Sequence, residues 1–160
     1  DKAGYFNERL VRHQDNDMHR RIQKAGGRFY RNVEMKADYY ARDSVKKLLK
    51  QMYLIGYYLP DVIGSGALSL RHLAPFAFYF VFFMGLLLFA IGIPVFSYLI
   101  LIQMTLYIAI ITIDSIIRLV KEKNPALLLN ILLIPLMHLC YAVGTSFGFI
   151  RFISKKKTND

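Results

Sequence analysis

The sequence predicts a mainly α-helical membrane protein, and three observations support this. Of the 160 residues, 55% are hydrophobic, which exceeds the roughly 45–50% of an ordinary soluble domain. Residues 73–117 contain a single formal charge, at Asp114. Residues 127–150 contain none when His138 is counted as neutral. Because a membrane-spanning helix needs about 20 apolar residues, these stretches are long enough to cross a bilayer. They exclude a soluble domain and a disordered chain.

The charge balance narrows the class of partner. The 21 basic and 11 acidic residues give a net charge of +10, which fits contact with anionic lipid head groups or with an anionic nucleotide-sugar. Charge alone would also allow nucleic acid, but no recognition motif is present and half of the chain is apolar, so we expect none. The single cysteine, Cys140, excludes an internal disulfide and a cysteine-based metal site.

Residues 1–42 are predicted to contain one short helix and two short strands. In residues 14–25, Met18 and Ile22 lie on one apolar face, and Gly26-Gly27 ends the helix. β-prone stretches predict strands near 28–31 and 34–40.

Residues 43–72 are predicted to form an amphipathic helix followed by a glycine-containing connector. One face of the helix is apolar, and Pro60 ends it. The other face is basic and contains Lys46, Lys47 and Lys50. Such a helix suits the membrane interface; the alternative is that it packs on the soluble part of the same chain.

Residues 73–154 are predicted to hold three membrane spans, before a basic tail at 155–160. A break at Gly92-Ile93-Pro94 separates the first two spans, and Pro135 is expected to kink the third. The three predicted spans are 73–91, 95–117 and 127–150.

The sidedness of these spans presents a conflict. With residues 1–72 in the cytoplasm, three crossings place the loop at 118–123 inside and the tail outside. Yet the loop and residues 151–157 are both basic, and basic segments favour the cytoplasm. We expect the three-crossing arrangement, and the alternative is that one segment does not cross fully.

The stretch QDNDMHRRIQKAGGRFY resembles the end of the catalytic domain of family 2 glycosyltransferases, in their membrane-bound exopolysaccharide or succinoglycan-type branch. Gln14-Asp15, Asp17 and Arg21 stand at the family's acidic and arginine positions, and Ala25-Gly26-Gly27 closes the helix as in the family. Further similarity lies in AGYFNE, YYARDSVKKLLKQMYLIGYY and LSLRHLAPFAF. The resemblance covers nearly the whole chain. It implies that residues 1–42 are the C-terminal end of an α/β domain of the GT-A fold.

Two departures from the family pattern matter. Asn7 replaces the usual Asp before Glu8. The Gln-x-x-Arg-Trp motif of processive synthases is absent, since Gln51 is followed by MYLI and the chain has no Trp, which favours a single-addition transferase.

The family's metal-binding Asp-x-Asp is expected upstream of Asp1, with Mg²⁺ or Mn²⁺ in the intact enzyme. We therefore expect this chain to be a C-terminal fragment that binds no metal and is inactive alone.

The resemblance also implies the site residues. Asp15 stands at the position of the catalytic base, which takes the proton of the acceptor hydroxyl. A carboxylate in the first helical turn is kept ionised by the helix dipole, although an ordinary helix cap is the alternative. Substrate contacts are expected from Glu8, Asp17 and Arg21. Contacts with phosphates of lipid or donor are expected from Arg42, Lys46, Lys47 and Lys50.

Other polar residues carry weaker signals. His13 and His19 are poorly spaced for a metal, so no metal site is predicted. Polar side chains inside the predicted spans indicate either hydrogen bonds between helices or a route for a lipid-linked acceptor. These side chains are Gln103, Tyr107, Asp114, Asn130 and His138.

The expected function is that of a membrane-bound inverting glycosyltransferase. It would transfer a sugar from a nucleotide-sugar to a lipid-linked (polyprenyl) or polysaccharide acceptor, at the cytoplasmic face of a bacterial inner membrane, in exopolysaccharide or cell-envelope glycan synthesis. The alternative is a non-catalytic membrane subunit with a basic domain that binds lipid or a partner.

Overall fold

The computed structural model describes residues 2–38, 40, 42–63 and 70–159, and its regular structure in these ranges is helical. Two 3₁₀ turns, Leu59–Val62 and Pro125–Leu129, separate longer helices. The five α-helices are α1 Gln14–Lys24, α2 Val45–Tyr57, α3 Leu70–Ala90, α4 Val95–Glu122 and α5 Asn130–Asn159. The predicted helix at 14–25 is confirmed as α1, which ends with Ala25 and a left-handed Gly26 at φ 81°.

The two strands predicted near 28–31 and 34–40 are wrong for the part of this segment that the structure describes, which excludes residue 39. Residues 28–38 are irregular and exposed; for example, Tyr30 is 91% and Val33 84% exposed. A strand needs a neighbouring backbone to pair with, and no described residue supplies one. The α/β part of the predicted fold is therefore not present among the described residues.

Three helical stretches are long and apolar enough to cross a membrane: Arg71–Ala90, Val95–Glu122 and Pro125–Lys155. Their mean hydropathies are 2.2, 2.0 and 2.1, which indicates an integral membrane protein. α4 continues to Glu122, beyond the predicted end at 117, and the Asp114–Arg118 pair at 2.8 Å supports this last part from one turn to the next. α5 likewise continues through the basic tail as far as Asn159.

The amphipathic helix α2 packs against the second half of α5 through glycines. Gly144 faces the carbonyl oxygen of Tyr53, and Gly148 faces that of Tyr57, one turn further along both helices. The two helices therefore run parallel. A Cβ on Gly144 would lie 2.1 Å from the Tyr53 oxygen, so only glycine permits this approach. The apolar face of α2 thus packs within the chain; contact of its basic face with a membrane surface stays a prediction.

A small core joins the first 63 residues to the long helices. Leu10, Leu59 and Val62 form a buried cluster, with exposures of 5% or less. Leu73 of α3 and Tyr141 of α5 pack against it. This cluster fixes the start of α1 beside the first turns of α3 and the middle of α5.

Candidate functional site

An open cleft of about 560 Å³ lies where α1, α2, α3 and α5 meet. Its volume is within the roughly 300–1,000 Å³ typical of small-molecule sites. Of the predicted site residues, it contains Asp15. The cleft is lined by Phe6, Arg12, His13, Gln14, Asp15, Asn16, Ile55, His72 and Tyr141.

His13 fixes the start of α1 against α2. Its backbone is left-handed, with φ 64°, a conformation that His adopts more readily than most residues. Its Nε2 donates to the carbonyl oxygen of Ile55 at 3.1 Å, and the Nδ2 of Asn16 then donates to His13 Nδ1 at 3.4 Å. Gln14 also donates through its side chain to the carbonyl of Leu10. These hydrogen bonds therefore hold the first turn of α1 against α2 on one side and against the loop at Leu10 on the other.

Asp15 projects from this fixed turn as an exposed cleft residue. Its carboxylate makes no hydrogen bond or ion pair with any other described residue. It lies in the first turn of α1, at the positive end of the helix dipole. A carboxylate that has no protein partner and lies in a cleft is placed to accept a proton from a bound hydroxyl.

Asp17 and Arg21, two of the predicted substrate contacts, form a structural clamp outside the cleft. Asp17 is buried, with 3% exposure, and accepts from Arg21 Nε at 3.0 Å. The other two guanidinium nitrogens of Arg21 donate to the carbonyls of Ala3 and Tyr5. The clamp holds residues 3–5 against α1 and so places Phe6 at the cleft.

The remaining predicted contacts also lie away from the cleft lining. Glu8 is exposed. The four basic side chains are likewise exposed: Arg42, Lys46, Lys47 and Lys50. Arg42 Nε donates to Gln51 Oε1 at 2.8 Å, and Lys47 pairs with Asp43 at 2.8 Å. The basic face of α2 is thus a surface beside the cleft and not part of it.

The cleft contains residues that sequence analysis missed. Tyr141 and His72 line it, and Tyr141 donates through its hydroxyl to the carbonyl of His72 at 2.8 Å. Tyr141 lies in the third predicted span and is 126 residues from Asp15 in sequence. The sequence feature that could have indicated Tyr141 is its polar hydroxyl group within an otherwise apolar stretch. His13 was considered only as a metal ligand.

Three polar side chains inside the long helices form hydrogen bonds from one helix to another. Tyr107 and His138 Nδ1 lie 2.8 Å apart, and Gln103 donates to the carbonyl of Phe78 at 2.9 Å. The interhelical alternative is therefore confirmed for these three side chains. Asp114 instead pairs within its own helix and is half exposed.

The described residues contain no group of three His, Cys, Asp or Glu side chains that converge as metal ligands. His19 lies against Phe29, with ring centroids 4.6 Å apart, and His13 is bonded to α2. The side chains of the described residues therefore do not fit a divalent cation.

One curated relative is a glycosyltransferase. The chain is 30% identical, over 146 residues, to dolichyl N-acetyl-alpha-D-glucosaminyl phosphate 3-beta-D-2,3-diacetamido-2,3-dideoxy-beta-D-glucuronosyltransferase of Methanococcus voltae. The similar region covers 91% of this chain and 42% of that relative, so the chain spans less than half of the relative's length. No family model and no solved structure matches the chain. The similarity supports a glycosyltransferase.

Proposed function

We propose that the chain is the membrane-proximal part of an inverting glycosyltransferase that uses a nucleotide-sugar donor and a polyprenyl-phosphate-linked acceptor. The observation that carries this proposal is the position of Asp15. It is an unpaired carboxylate in a cleft whose opposite wall is built from the first turn of α3 and the middle of α5.

The reaction requires one base from this chain. The acceptor hydroxyl oxygen attacks the anomeric carbon of the donor, and the new glycosidic bond forms. The bond from that carbon to the diphosphate oxygen breaks, and the nucleoside diphosphate leaves with the electron pair. Asp15 takes the hydroxyl proton as the oxygen attacks. Attack from the face opposite the leaving group inverts the anomeric centre.

The position of the cleft, next to the start of the first membrane span, favours a lipid-linked acceptor over a free polysaccharide. His72 belongs to the helical stretch that begins at Arg71 and is apolar enough to enter a membrane. An acceptor sugar in the cleft would therefore lie within a few residues of the bilayer surface, where a polyprenyl phosphate has its head group. The name of the Methanococcus voltae relative also gives a lipid-linked sugar phosphate as acceptor.

The clamp and the basic face have supporting roles in this proposal. Arg21 and Asp17 act as positioning residues, because their contacts reach the cleft only through the backbone of residues 3–5. Glu8, which lies outside the cleft lining and two residues after Phe6, is proposed to orient the part of the acceptor that extends out of the cleft. The basic residues that contact lipid phosphates are Arg42, which precedes α2, and Lys46, Lys47 and Lys50 of α2.

The test is transfer by the full-length protein in native membranes. A panel of nucleotide-sugars is supplied with polyprenyl-phosphate-linked N-acetylglucosamine, and the lipid-extractable product is measured. We expect Asp15→Asn to lower transfer by about 10²- to 10⁴-fold while donor binding is retained. Glu34→Gln, which changes an exposed carboxylate outside the cleft, is the matched control and should transfer normally.

Two results would overturn the proposal. Transfer at the wild-type rate by Asp15→Asn would remove the base assignment. Absence of any lipid-linked product from the wild-type protein with the whole donor panel would favour the non-catalytic membrane subunit.

A further inference from the structure

An ion pair joins the second half of α5 to the segment that precedes α3. Arg151 Nη2 lies 2.6 Å from Asp61 Oδ1, and the two side chains are only 17% and 24% exposed. The guanidinium also lies 4.4 Å from the ring centroid of Tyr57 and 4.9 Å from that of Tyr58. Asp61 comes nine residues before the first residue of α3. Arg151 and Asp61 must therefore lie on the same side of the membrane.

This contact limits the number of crossings. Between Asp61 and Arg151 the chain passes through three stretches that are apolar enough to cross. A chain that returns to its starting side has crossed an even number of times. Three full crossings would place Arg151 on the far side from Asp61. One of the three stretches therefore does not cross.

The contacts of α5 identify it as that stretch. From the middle of α5 onward, Tyr141 lines the cleft that contains Asp15, Gly148 packs on α2, and Arg151 pairs with Asp61. From Asn130 to Tyr141 a helix rises only about 16 Å, and from Tyr141 to Arg151 about 15 Å. Each distance is about half of the roughly 30 Å hydrocarbon core, so α5 meets the first 63 residues again before it could reach the far side.

Unlike α5, helices α3 and α4 extend away from the first 63 residues. Gly85 of α3 lies against Ile100 of α4, and Gln103 of α4 bonds to Phe78 of α3. The two helices thus form a hairpin around the turn at Gly92. No described contact ties residues 85–100 to the first 63 residues, so the turn of this hairpin is free to lie on the far side.

The outward face of α5 is apolar and faces away from the protein. At 100° per residue, it lies opposite the face that packs on α2. Its large side chains are 37–65% exposed: Leu132, Leu136, Val143, Phe147, Ile150 and Ile153. Exposure of such a continuous apolar stripe to water is unfavourable. Contact with the hydrocarbon of the membrane into which α3 and α4 insert would bury it.

We infer that α5 lies along the membrane surface, with this face in the acyl–headgroup boundary, and that the chain crosses the bilayer twice, through α3 and α4. Amphipathic helices bury such a face by about 5–10 Å. The basic segments 118–123 and 151–157 then lie on one side together with residues 2–63. Both segments satisfy the preference of basic residues for the cytoplasm, which three crossings could not achieve. The inference stands whether or not the protein is a transferase.

Accessibility from the two sides of the membrane tests the crossing number. Single cysteines at exposed positions, Lys121→Cys, Lys155→Cys and Ile93→Cys, are introduced into the full-length protein after its native cysteines, including Cys140, are replaced by Ala. Sealed vesicles of both orientations are treated with a membrane-impermeant maleimide. We expect positions 121 and 155 to react from one side and position 93 from the other. Reaction of position 155 from the same side as position 93 would overturn the inference.

Depth in the bilayer provides a second measurement. Leu136→Cys lies near the middle of the third predicted span, and Leu106→Cys lies at the middle of α4; each carries an environment-sensitive fluorophore in the same cysteine-free background. Lipids quenched at known depths should quench position 106 most strongly from the bilayer centre and position 136 most strongly near the head groups. Equal quenching of both positions from the centre would show that α5 crosses.

Discussion

α4 and α5 are similar in length and hydropathy but differ in what they contact. They contain 28 and 30 residues, and their apolar stretches have mean hydropathies of 2.0 and 2.1. α4 leaves large side chains exposed along much of its length, such as Ile110 at 67%. Both helices also bury small side chains, with Ser115 of α4 and Thr145 of α5 each at 0% exposure, but α5 packs on α2 through Gly144 and Gly148. Hydropathy shows that both helices suit an apolar environment, whereas the contacts show that α5 packs on α2.

The two helices also differ in how closely a neighbour approaches. On α5, Gly144 faces a backbone oxygen of α2 that would be 2.1 Å from an added Cβ. At the α3–α4 contact, a Cβ on Gly85 would meet the flexible side chain of Ile100 at 3.0 Å. Backbone cannot move aside without displacing a helix, but an isoleucine side chain can adjust. The α5 contact is therefore the less tolerant of the two.

The largest expected effect on stability comes from Gly144→Ala. The added methyl group would force α2 and α5 apart, at a cost of about 2–3 kcal/mol, the upper range for overpacking. Thermal unfolding of the detergent-solubilised protein measures the change. Gly85→Ala is the matched control, with an expected cost below about 1 kcal/mol because Ile100 can adjust. Equal losses for the two variants would show that the α2–α5 contact is no tighter than the α3–α4 contact.

A smaller effect is expected when Arg151 is replaced. Arg151→Met keeps much of the apolar stem but leaves the carboxylate of Asp61 unpaired, at an expected cost of about 1–2 kcal/mol, since both side chains are partly exposed. Arg151→Lys should recover only part of this loss, because an ammonium group lacks the flat surface that stacks on Tyr57 and Tyr58. Full recovery with Lys in the same unfolding assay would mean that charge alone stabilises the contact.

Local patterns in the sequence predicted the helices well. The apolar spacing and Gly26-Gly27 gave α1 within one residue of its observed end, and the break near Gly92 separated α3 from α4. These features depend on neighbours within one or two turns. The strands predicted near 28–31 and 34–40 failed for the opposite reason, because β-propensity is realised only when another strand is available to pair.

The site was predicted only in part, because its walls come from distant segments. Asp15 was found through its helix position and the family resemblance, and it does line the cleft. Tyr141 and His72 reach that cleft through packing between α2, α3 and α5, and no local pattern encodes such contacts. That Asp17 contacts substrate stays a prediction, and its burial beside Arg21 depends on the path of residues 3–5.

The smallest effect is expected from the ion pair on α4. Asp114 and Arg118 lie one turn apart on the same helix, 2.8 Å from each other, with side chains 49% and 53% exposed. An exposed pair of this kind adds little, because both charges remain well solvated without each other. Asp114→Asn should therefore leave the unfolding temperature unchanged within error, whereas Arg151→Met lowers it. A clear destabilisation by Asp114→Asn would indicate that this part of α4 is less solvated than its exposure implies. Asp114 would then lie deeper in the membrane. The position of α4 in the bilayer, like that of α5, would have to be inferred from its contacts and not from its hydropathy.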